Sequence, residues 1–216
     1  MEYFLCGGGF GIQVKEIFNR YIGNQANILY IPIAMTSDKL DKCQEWFRNE
    51  ISSYNAKFYM IKSFEDIEKI DILSFSHIFI GGGNTYKLLK ELRNANFFNI
   101  TKKFNGKIWG GSAGAIVFGK DINSCKNVDD NIVNLKHTEG ANIINHYSLI
   151  CHLNEENFKK NKEYLEEYSI RYKTIFISEE NVIYKNGKNF KIMGDAPYII
   201  FDQGQYKIYN NKYNWT

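Results

Sequence analysis

Residues 108–114 read Ile-Trp-Gly-Gly-Ser-Ala-Gly and place Ser112 in a Gly-x-Ser-x-Gly pattern. An apolar pair begins the stretch and a helix-compatible run follows it. The pattern therefore predicts a strand that enters a very sharp turn, with a serine at its tip, and a helix that leaves it. Gly110 and Gly114 lack the Cβ atoms that would clash where strand and helix pass so close together. Ser112 is thus a candidate nucleophile, and a Gly-rich turn whose serine only caps a helix is the alternative.

The chain before and after this turn alternates apolar strand segments with amphipathic helices. Strands are predicted over 3–6, 27–33, 57–61, 77–80 and 108–109, and helices over 13–22, 40–54, 64–70, 85–95 and 114–118. This order predicts a mostly parallel sheet with helices on both faces. In such a sheet the chemistry is expected at the carboxyl ends of the strands.

The pattern changes beyond Gly119. A polar stretch runs to residue 134, a strand is expected over 148–151, and a charged helix over 155–169. Short segments at 174–177, 181–185, 189–193, 198–201 and 205–209 then predict antiparallel edge strands, with turns at Gly187 and Gly204. No linker or repeat interrupts the sequence, so a single α/β domain over 1–216 is predicted.

Composition excludes several classes of function. A net charge of +3, with scattered lysines, does not favour nucleic acid as a partner. No run approaches the roughly 20 apolar residues of a membrane span, and no secretory signal is evident. The four cysteines lack zinc-ligand spacing, so neither a metal nor another cofactor is expected. A cytoplasmic monomer or homodimer is the simplest interpretation.

Two glycine runs follow predicted strands. Residues 7–11, Gly-Gly-Gly-Phe-Gly, fail the Gly-x-Gly-x-x-Gly dinucleotide fingerprint because Ile12 occupies its third position, so a tight turn is predicted. Residues 81–85, Gly-Gly-Gly-Asn-Thr, would bring several backbone N–H groups together at a helix start. Such a turn beside the Ser112 strand could bind an oxyanion.

A serine nucleophile needs a base, and the chain offers four histidines. His152 follows the apolar segment 148–151, so it should lie at the same sheet edge as Ser112. His77 lies at the amino end of its strand, while His137 and His146 lie in a polar segment and a turn. Between Ser112 and His152 the possible acids are Asp121, Asp129, Asp130 and Glu139, among which the residues alone do not decide.

These motifs together resemble peptidase family S51, which includes aspartyl dipeptidase (peptidase E) and cyanophycinase. The resemblance rests on 81–85, on the frame around Ser112, and on a histidine about forty residues later. It extends to Phe-Leu-Cys-Gly-Gly-Gly-Phe at 4–10, Tyr-Ile-Pro-Ile-Ala at 30–34 and Leu-Ile-Cys-His at 149–152. It covers most of the chain and is strongest to the peptidase E-like branch of Gram-positive bacteria.

The resemblance implies a three-layer fold like class I glutamine amidotransferases (flavodoxin-like), with serine in place of cysteine at the elbow. It implies that Ser112 is the nucleophile and His152 its base, with Asp129, or in its place Asp130, as the acid. It places oxyanion donors at Gly82, Gly83 and Ala113. It also implies metal-free hydrolysis of small peptides after an N-terminal aspartate.

An aspartyl side chain should need a cation or converging N–H donors. Arg171, Asn84 and Thr85 are the candidates for that role.

Two other functions fit part of the sequence. An α/β-hydrolase esterase shares the elbow but normally has a late histidine, and no histidine follows 152. A non-catalytic amidotransferase-like binding module would leave the Ser/His pair unexplained.

Overall fold

The computed structural model describes residues 1–63 and 65–209. The strands in this part of the chain are β1 (Glu2–Cys6), β2 (Ala26–Ile31), β3 (Ala56–Met60), β4 (His77–Ile80), β5 (Lys107–Gly111), β6 (Ser148–Ile150), β7 (Thr174–Ile177), β8 (Val182–Asn186), β9 (Asn189–Met193), β10 (Tyr198–Asp202) and β11 (Gln205–Tyr209). The helices are α1 (Ile12–Tyr21), α2 (Leu40–Ile51), α3 (Glu65–Glu68), α4 (Thr85–Asn94), α5 (Phe97–Ile100), α6 (Ala113–Ile116) and α7 (Glu155–Ser169).

The described strands form two sheets. The larger has the order β3-β2-β4-β5-β1-β8-β9, in which β1 to β5 are mutually parallel and the β8–β9 hairpin is added antiparallel beyond β1. The smaller has the order β11-β10-β7-β6. The predicted α/β class is confirmed: a mostly parallel sheet is layered with helices, and antiparallel strands lie at the C-terminal end.

Side-chain alternation along the strands assigns the helices to opposite faces of the large sheet. Phe4 of β1 packs with Phe18 of α1 and Phe47 of α2 on one face, whereas Leu5 packs with Leu88 of α4 on the other. Because successive strand residues point to opposite faces, a strand buried on both sides must be apolar throughout. These contacts form one hydrophobic core on each face of the large sheet, and a third core lies between α7 and the smaller sheet.

The helices follow from their apolar spacing and their caps. In α1 the buried residues Val14, Ile17 and Phe18 recur at helical intervals. Helix α4 is capped at its amino end by Asn84, whose side chain accepts a hydrogen bond from the Lys87 amide at 2.9 Å. Both the placement of α4 and its cap matter for the site, because the first turn of α4 lies at the carboxyl edge of β4.

The structure also refines the predicted boundaries. Strand β2 ends at Ile31 rather than 33, because Pro32 has no N–H and its carbonyl accepts from Met35 in a turn. Strand β7 is not an edge strand, since it pairs parallel with β6 and antiparallel with β10. The helix predicted over 64–70 is shorter in the described chain, and its first residue lies outside the described residues.

Across residues 1–63 and 65–209, none of the helices combines the length and the apolar composition that crossing a membrane requires.

Candidate active site

The turn after β5 holds Ser112 in a backbone conformation that few non-glycine residues adopt. Its φ is 53° and its ψ is −115°, and its amide donates to the Cys6 carbonyl of β1 at 3.1 Å. A Cβ on Gly110 would lie 2.2 Å from the Gly114 carbonyl oxygen, and one on Gly114 would lie 2.2 Å from that of Ile80. Strand and helix can therefore pass this closely only with glycine at both positions.

His152 contacts the serine directly. Its Nε2 lies 2.7 Å from Ser112 Oγ, within hydrogen-bonding distance. The histidine follows β6 in a left-handed conformation (φ 64°), and its amide donates to the Gly7 carbonyl at 3.0 Å. A carbonyl at the carboxyl end of β1 thus fixes the backbone that carries the imidazole.

The carboxylate against this imidazole belongs to Glu179. Its Oε1 lies 2.6 Å from His152 Nδ1, so the imidazole bridges the serine hydroxyl and a carboxylate. The side chains remain partly open to water, with 34% of His152 and 62% of Glu179 exposed. A Ser–His–acid chain of this geometry can make the hydroxyl nucleophilic and stabilise the imidazolium that forms.

The first glycine run explains how Glu179 reaches the site. A Cβ on Gly7 would lie 2.0 Å from the Ser178 carbonyl oxygen, and a Cβ on Gly8 would lie 2.8 Å from Glu179 Cγ. The backbone after β1 must therefore lack side chains where the loop after β7 crosses it. The tight turn predicted for residues 7–11 is observed, and the close approach of the second loop is its structural reason.

The loop that carries Glu179 is held by its neighbours. Asn181 Oδ1 accepts from the Ser178 amide at 3.1 Å, and Ser178 Oγ accepts from the Glu180 amide at 3.1 Å. Glu180 in turn accepts from the Gln13 amide at 2.8 Å, at the start of α1. This network fixes the backbone on both sides of Glu179.

Asp129, expected from the resemblance as the acid, makes different contacts. Its Oδ2 accepts from the Thr85 amide at 2.9 Å and from the Thr85 hydroxyl at 2.5 Å. The Asp130 backbone carbonyl accepts from Asn84 Nδ2 at 2.8 Å. The loop therefore folds back onto the first turn of α4, where its acid fixes the 81–85 turn. Neither aspartate is hydrogen-bonded to His152, and the acid predicted to contact the histidine is corrected to Glu179.

Two of the predicted oxyanion donors, Gly82 and Gly83, line the same cavity as Ser112, and the third, Ala113, follows it in the chain. A Cβ on Gly82 would lie 3.4 Å from Ser112 Cβ, so a side chain there would press against the serine. Gly83 has a φ of 126° and packs against Ala34, which leaves no room for a side chain. Among the described residues, no acceptor contacts the amides of Gly82, Gly83 or Ala113. The helix after Ser112, α6, has only one turn, so individual N–H groups rather than a long helix dipole face the hydroxyl.

The side chains predicted to bind substrate divide into two groups. Those of Asn84 and Thr85 hold the turn itself, through the bonds to Asp129 and Asp130 and the cap of α4. Arg171 lies on a separate depression with Tyr164 and Tyr168, and its guanidinium stacks 5.0 Å from the Tyr172 ring. Arg171 does not line the cavity at Ser112, so the expectation of an arginine clamp is not met.

A buried thiol lies directly beneath Ser112. Cys151 Sγ lies 3.7 Å from the Ser112 carbonyl oxygen, and burial raises the pKa of this thiol well above its usual value. Since the thiolate is the reactive form of cysteine, Cys151 packs behind the serine rather than competing with it. Of the other histidines, His77 is buried at the amino end of β4, and His146 is exposed and bonded to Asn142.

A cavity of about 580 Å³ opens beside Ser112 and His152. The glycines of both runs form its inner rim, while its far wall comes from the end of β2 and from α2. Its size is in the range of small-molecule sites. A peptide of a few residues therefore has space next to the serine.

Sequence reasoning missed Glu179, although a signal for it was present. The residue lies two positions after the apolar segment 174–177, so the carboxyl-end rule that selected His152 applies to it as well. An acid was expected between Ser112 and His152 in the sequence, whereas Glu179 lies 27 residues after the histidine.

Comparisons with known proteins identify a family and a similar fold. The model of peptidase family S51 matches residues 6–193. A crystal structure of a candidate peptidase E from Listeria monocytogenes EGD-e has a similar fold, with a TM-score of 0.73 and 22% identity over 89% of this chain and 98% of that one. No curated protein matches the chain.

Proposed function

The chain belongs to peptidase family S51, and from that membership we propose that it is a serine peptidase whose triad is Ser112, His152 and Glu179. The observation that carries the proposal is the unbroken hydrogen-bonded chain from Ser112 Oγ through His152 to Glu179 Oε1, at 2.7 and 2.6 Å. The proposed roles of these residues follow from that contact chain and from the chemistry of its members.

In the proposed reaction, Ser112 Oγ attacks the carbonyl carbon of the scissile bond while its proton passes to His152 Nε2. The Glu179 carboxylate accepts from His152 Nδ1–H and stabilises the imidazolium. The free amides of Gly82, Gly83 and Ala113 donate to the oxyanion. The imidazolium then protonates the leaving amine, and the C–N bond breaks to give an acyl-serine ester. Water, deprotonated by His152, hydrolyses that ester and restores the serine.

We propose small peptides as substrates, and dipeptides with an N-terminal aspartate in particular. The cavity beside Ser112 has a size suited to short peptides, and family membership favours peptide hydrolysis. We also propose a cytoplasmic location. All four cysteines are buried and unpaired, which suits a reducing compartment.

The test compares wild type with Ser112→Ala on a panel of Asp-X, Ala-X and Glu-X dipeptides, with a small ester as an additional substrate. We expect hydrolysis of dipeptides by wild type and a loss of at least about 10³-fold in Ser112→Ala. Equal cleavage by both proteins would disprove the serine mechanism. Hydrolysis of the ester alone would favour the esterase alternative, and binding without turnover would favour the binding module.

A further inference from the structure

The cavity beside Ser112 has an aromatic wall that catalysis does not require. Tyr30, Trp46 and Phe79 line it, and Phe79 stacks at 5.2 Å on Phe10 behind it. Trp46 is 37% exposed, although it is among the largest apolar side chains of the protein. Its ring lies 3.5 Å from the position that a Cβ on Gly9 would occupy, so it borders the glycine rim next to the nucleophile.

Such a wall suits a flat apolar group. An exposed tryptophan at the mouth of a cavity favours the binding of an aromatic group, because ring stacking adds to the free energy gained by burying apolar area. The cavity is also larger than an aspartate side chain fills, at about 580 Å³. Met35 and Cys43 extend this apolar lining, which provides no positive charge for an acidic side chain.

Two lysines supply the missing partner at the rim. Lys39 and Lys42 line the same cavity, and within the described chain neither ammonium group has a salt bridge or hydrogen bond. Asp38 lies on this rim too, so the rim keeps one surplus positive charge. A rim of net positive charge next to an apolar wall is complementary to a ligand with a carboxylate close to an aromatic ring.

We infer that this cavity selects short acidic peptides with an aromatic residue beside the scissile bond, such as Asp-Phe. The aromatic side chain packs against Trp46, Tyr30 and Phe79, and Lys39 and Lys42 bind a carboxylate of the peptide. That carboxylate is the aspartyl side chain or the C-terminal group, which share the same chemistry. The inference rests on the proposed peptidase activity and adds the identity of its substrates.

Substrate comparison tests the aromatic preference. We expect kcat/KM for Asp-Phe to exceed that for Asp-Ala by about tenfold or more, the scale of a well-filled apolar pocket. Trp46→Ala should reduce the ratio to about threefold or less, while the conservative Trp46→Phe should retain most of it. Leu73→Ala, an exposed apolar residue at the opposite edge of the sheet, is the matched control. Equal rates for Asp-Phe and Asp-Ala in wild type, or an unchanged ratio in Trp46→Ala, would overturn the inference.

A second set of substrates identifies the carboxylate. The double variant Lys39→Gln/Lys42→Gln should raise KM for Asp-Phe by about tenfold and remove its dependence on salt, because exposed charges are screened. Lys103→Gln, at the amino edge of β5, is the control. If wild type binds Ala-Phe more weakly than Asp-Phe, the aspartyl side chain is the ligand of the lysines. If wild type binds Asp-Phe-amide more weakly than Asp-Phe, the C-terminal carboxylate is that ligand. An unchanged KM in the double variant would contradict the role of the lysines.

A binding measurement separates this inference from the proposed function. Calorimetric titration of Ser112→Ala with Asp-Phe and Asp-Ala reports on the cavity without turnover. If no peptide is hydrolysed but Asp-Phe binds about tenfold more tightly than Asp-Ala, and loses this advantage when Trp46→Ala is added, the peptidase reaction fails and the aromatic site stands. If hydrolysis depends on Ser112 but the two peptides bind equally, the site fails and the reaction stands.

Discussion

Neutralising Glu179 is the most direct test of the site. Glu179→Gln keeps the size of the side chain and removes the charge that faces the His152 imidazolium in the transition state. Two unit charges about 4 Å apart interact by about 1 kcal/mol in water and about 4 kcal/mol near a protein surface. Because 62% of the Glu179 side chain is exposed, the upper value does not apply. We take about 2.7 kcal/mol, which corresponds to about 10²-fold in kcat.

The measurement is kcat and KM on the best dipeptide, together with the thermal midpoint of each variant. We expect the loss in kcat, since the imidazolium exists only after the proton has moved. Glu180→Gln is the matched control: this adjacent carboxylate contacts the Gln13 amide and not the histidine, so its variant should lose less than about fivefold. Asp129→Asn keeps an acceptor for Thr85 and should also lose less than Glu179→Gln.

The opposite result would refute the assignment of the acid. If Glu179→Gln stays within about fivefold of wild type while Asp129→Asn loses about 10²-fold with an unchanged thermal midpoint, Asp129 acts on the histidine and the contact with Glu179 is incidental. A loss in Glu179→Gln that is accompanied by a lower thermal midpoint would be compared with Glu179→Ala. Equal activity of these two variants at equal stability would still assign the effect to the charge.

Further predictions concern the backbone and pH. Gly8→Ala should displace Glu179, because its Cβ would lie 2.8 Å from Glu179 Cγ; we expect about tenfold lower kcat with a normal far-UV spectrum, and wild-type activity would contradict the contact. Gly114→Ala should destabilise the fold by about 2 kcal/mol or more in urea unfolding, since its Cβ would lie 2.2 Å from the Ile80 carbonyl oxygen. Burial lowers the pKa of His77 to about 4, below its unfolded value of about 6.5, so the unfolded chain binds the extra proton first. Stability should therefore be complete above about pH 6.5 and fall by about 3 kcal/mol towards pH 4. Urea midpoints across this range should flatten in His77→Gln and not in His137→Gln; equal slopes would refute the assignment.

The elbow and the histidine could be predicted because their signals are local. Gly110 and Gly114 mark the turn around Ser112 within a few residues, and an apolar segment ends one residue before His152. The carboxyl ends of strands meet at one edge, so two such local signals suffice to bring these side chains together. The same holds for Gly82 and Gly83, which line the same cavity as the serine.

The partition into two sheets was less predictable. The strand segments from 174 onward carry the right alternation and turns, but alternation does not tell a strand which neighbour it will pair with. In the structure β7 joins β6 in the smaller sheet, while β8 crosses to β1 in the larger one. The loop between β7 and β8 passes over Gly7 and Gly8 for this reason, and it carries Glu179 with it.

The sequence by itself thus determined the α/β class, the nucleophile candidate and the histidine that faces it, because each depends on short-range patterns and one general rule about sheet edges. Only the tertiary structure decided which of the chain's 24 Asp and Glu side chains meets the imidazole. That choice depends on the approach of two loops 171 residues apart, at Gly8 and Glu179, and on the competing bonds that hold Asp129 at Thr85. The residues next to a carboxylate in sequence do not indicate its partner, because that contact is fixed by the packing of strands distant in sequence.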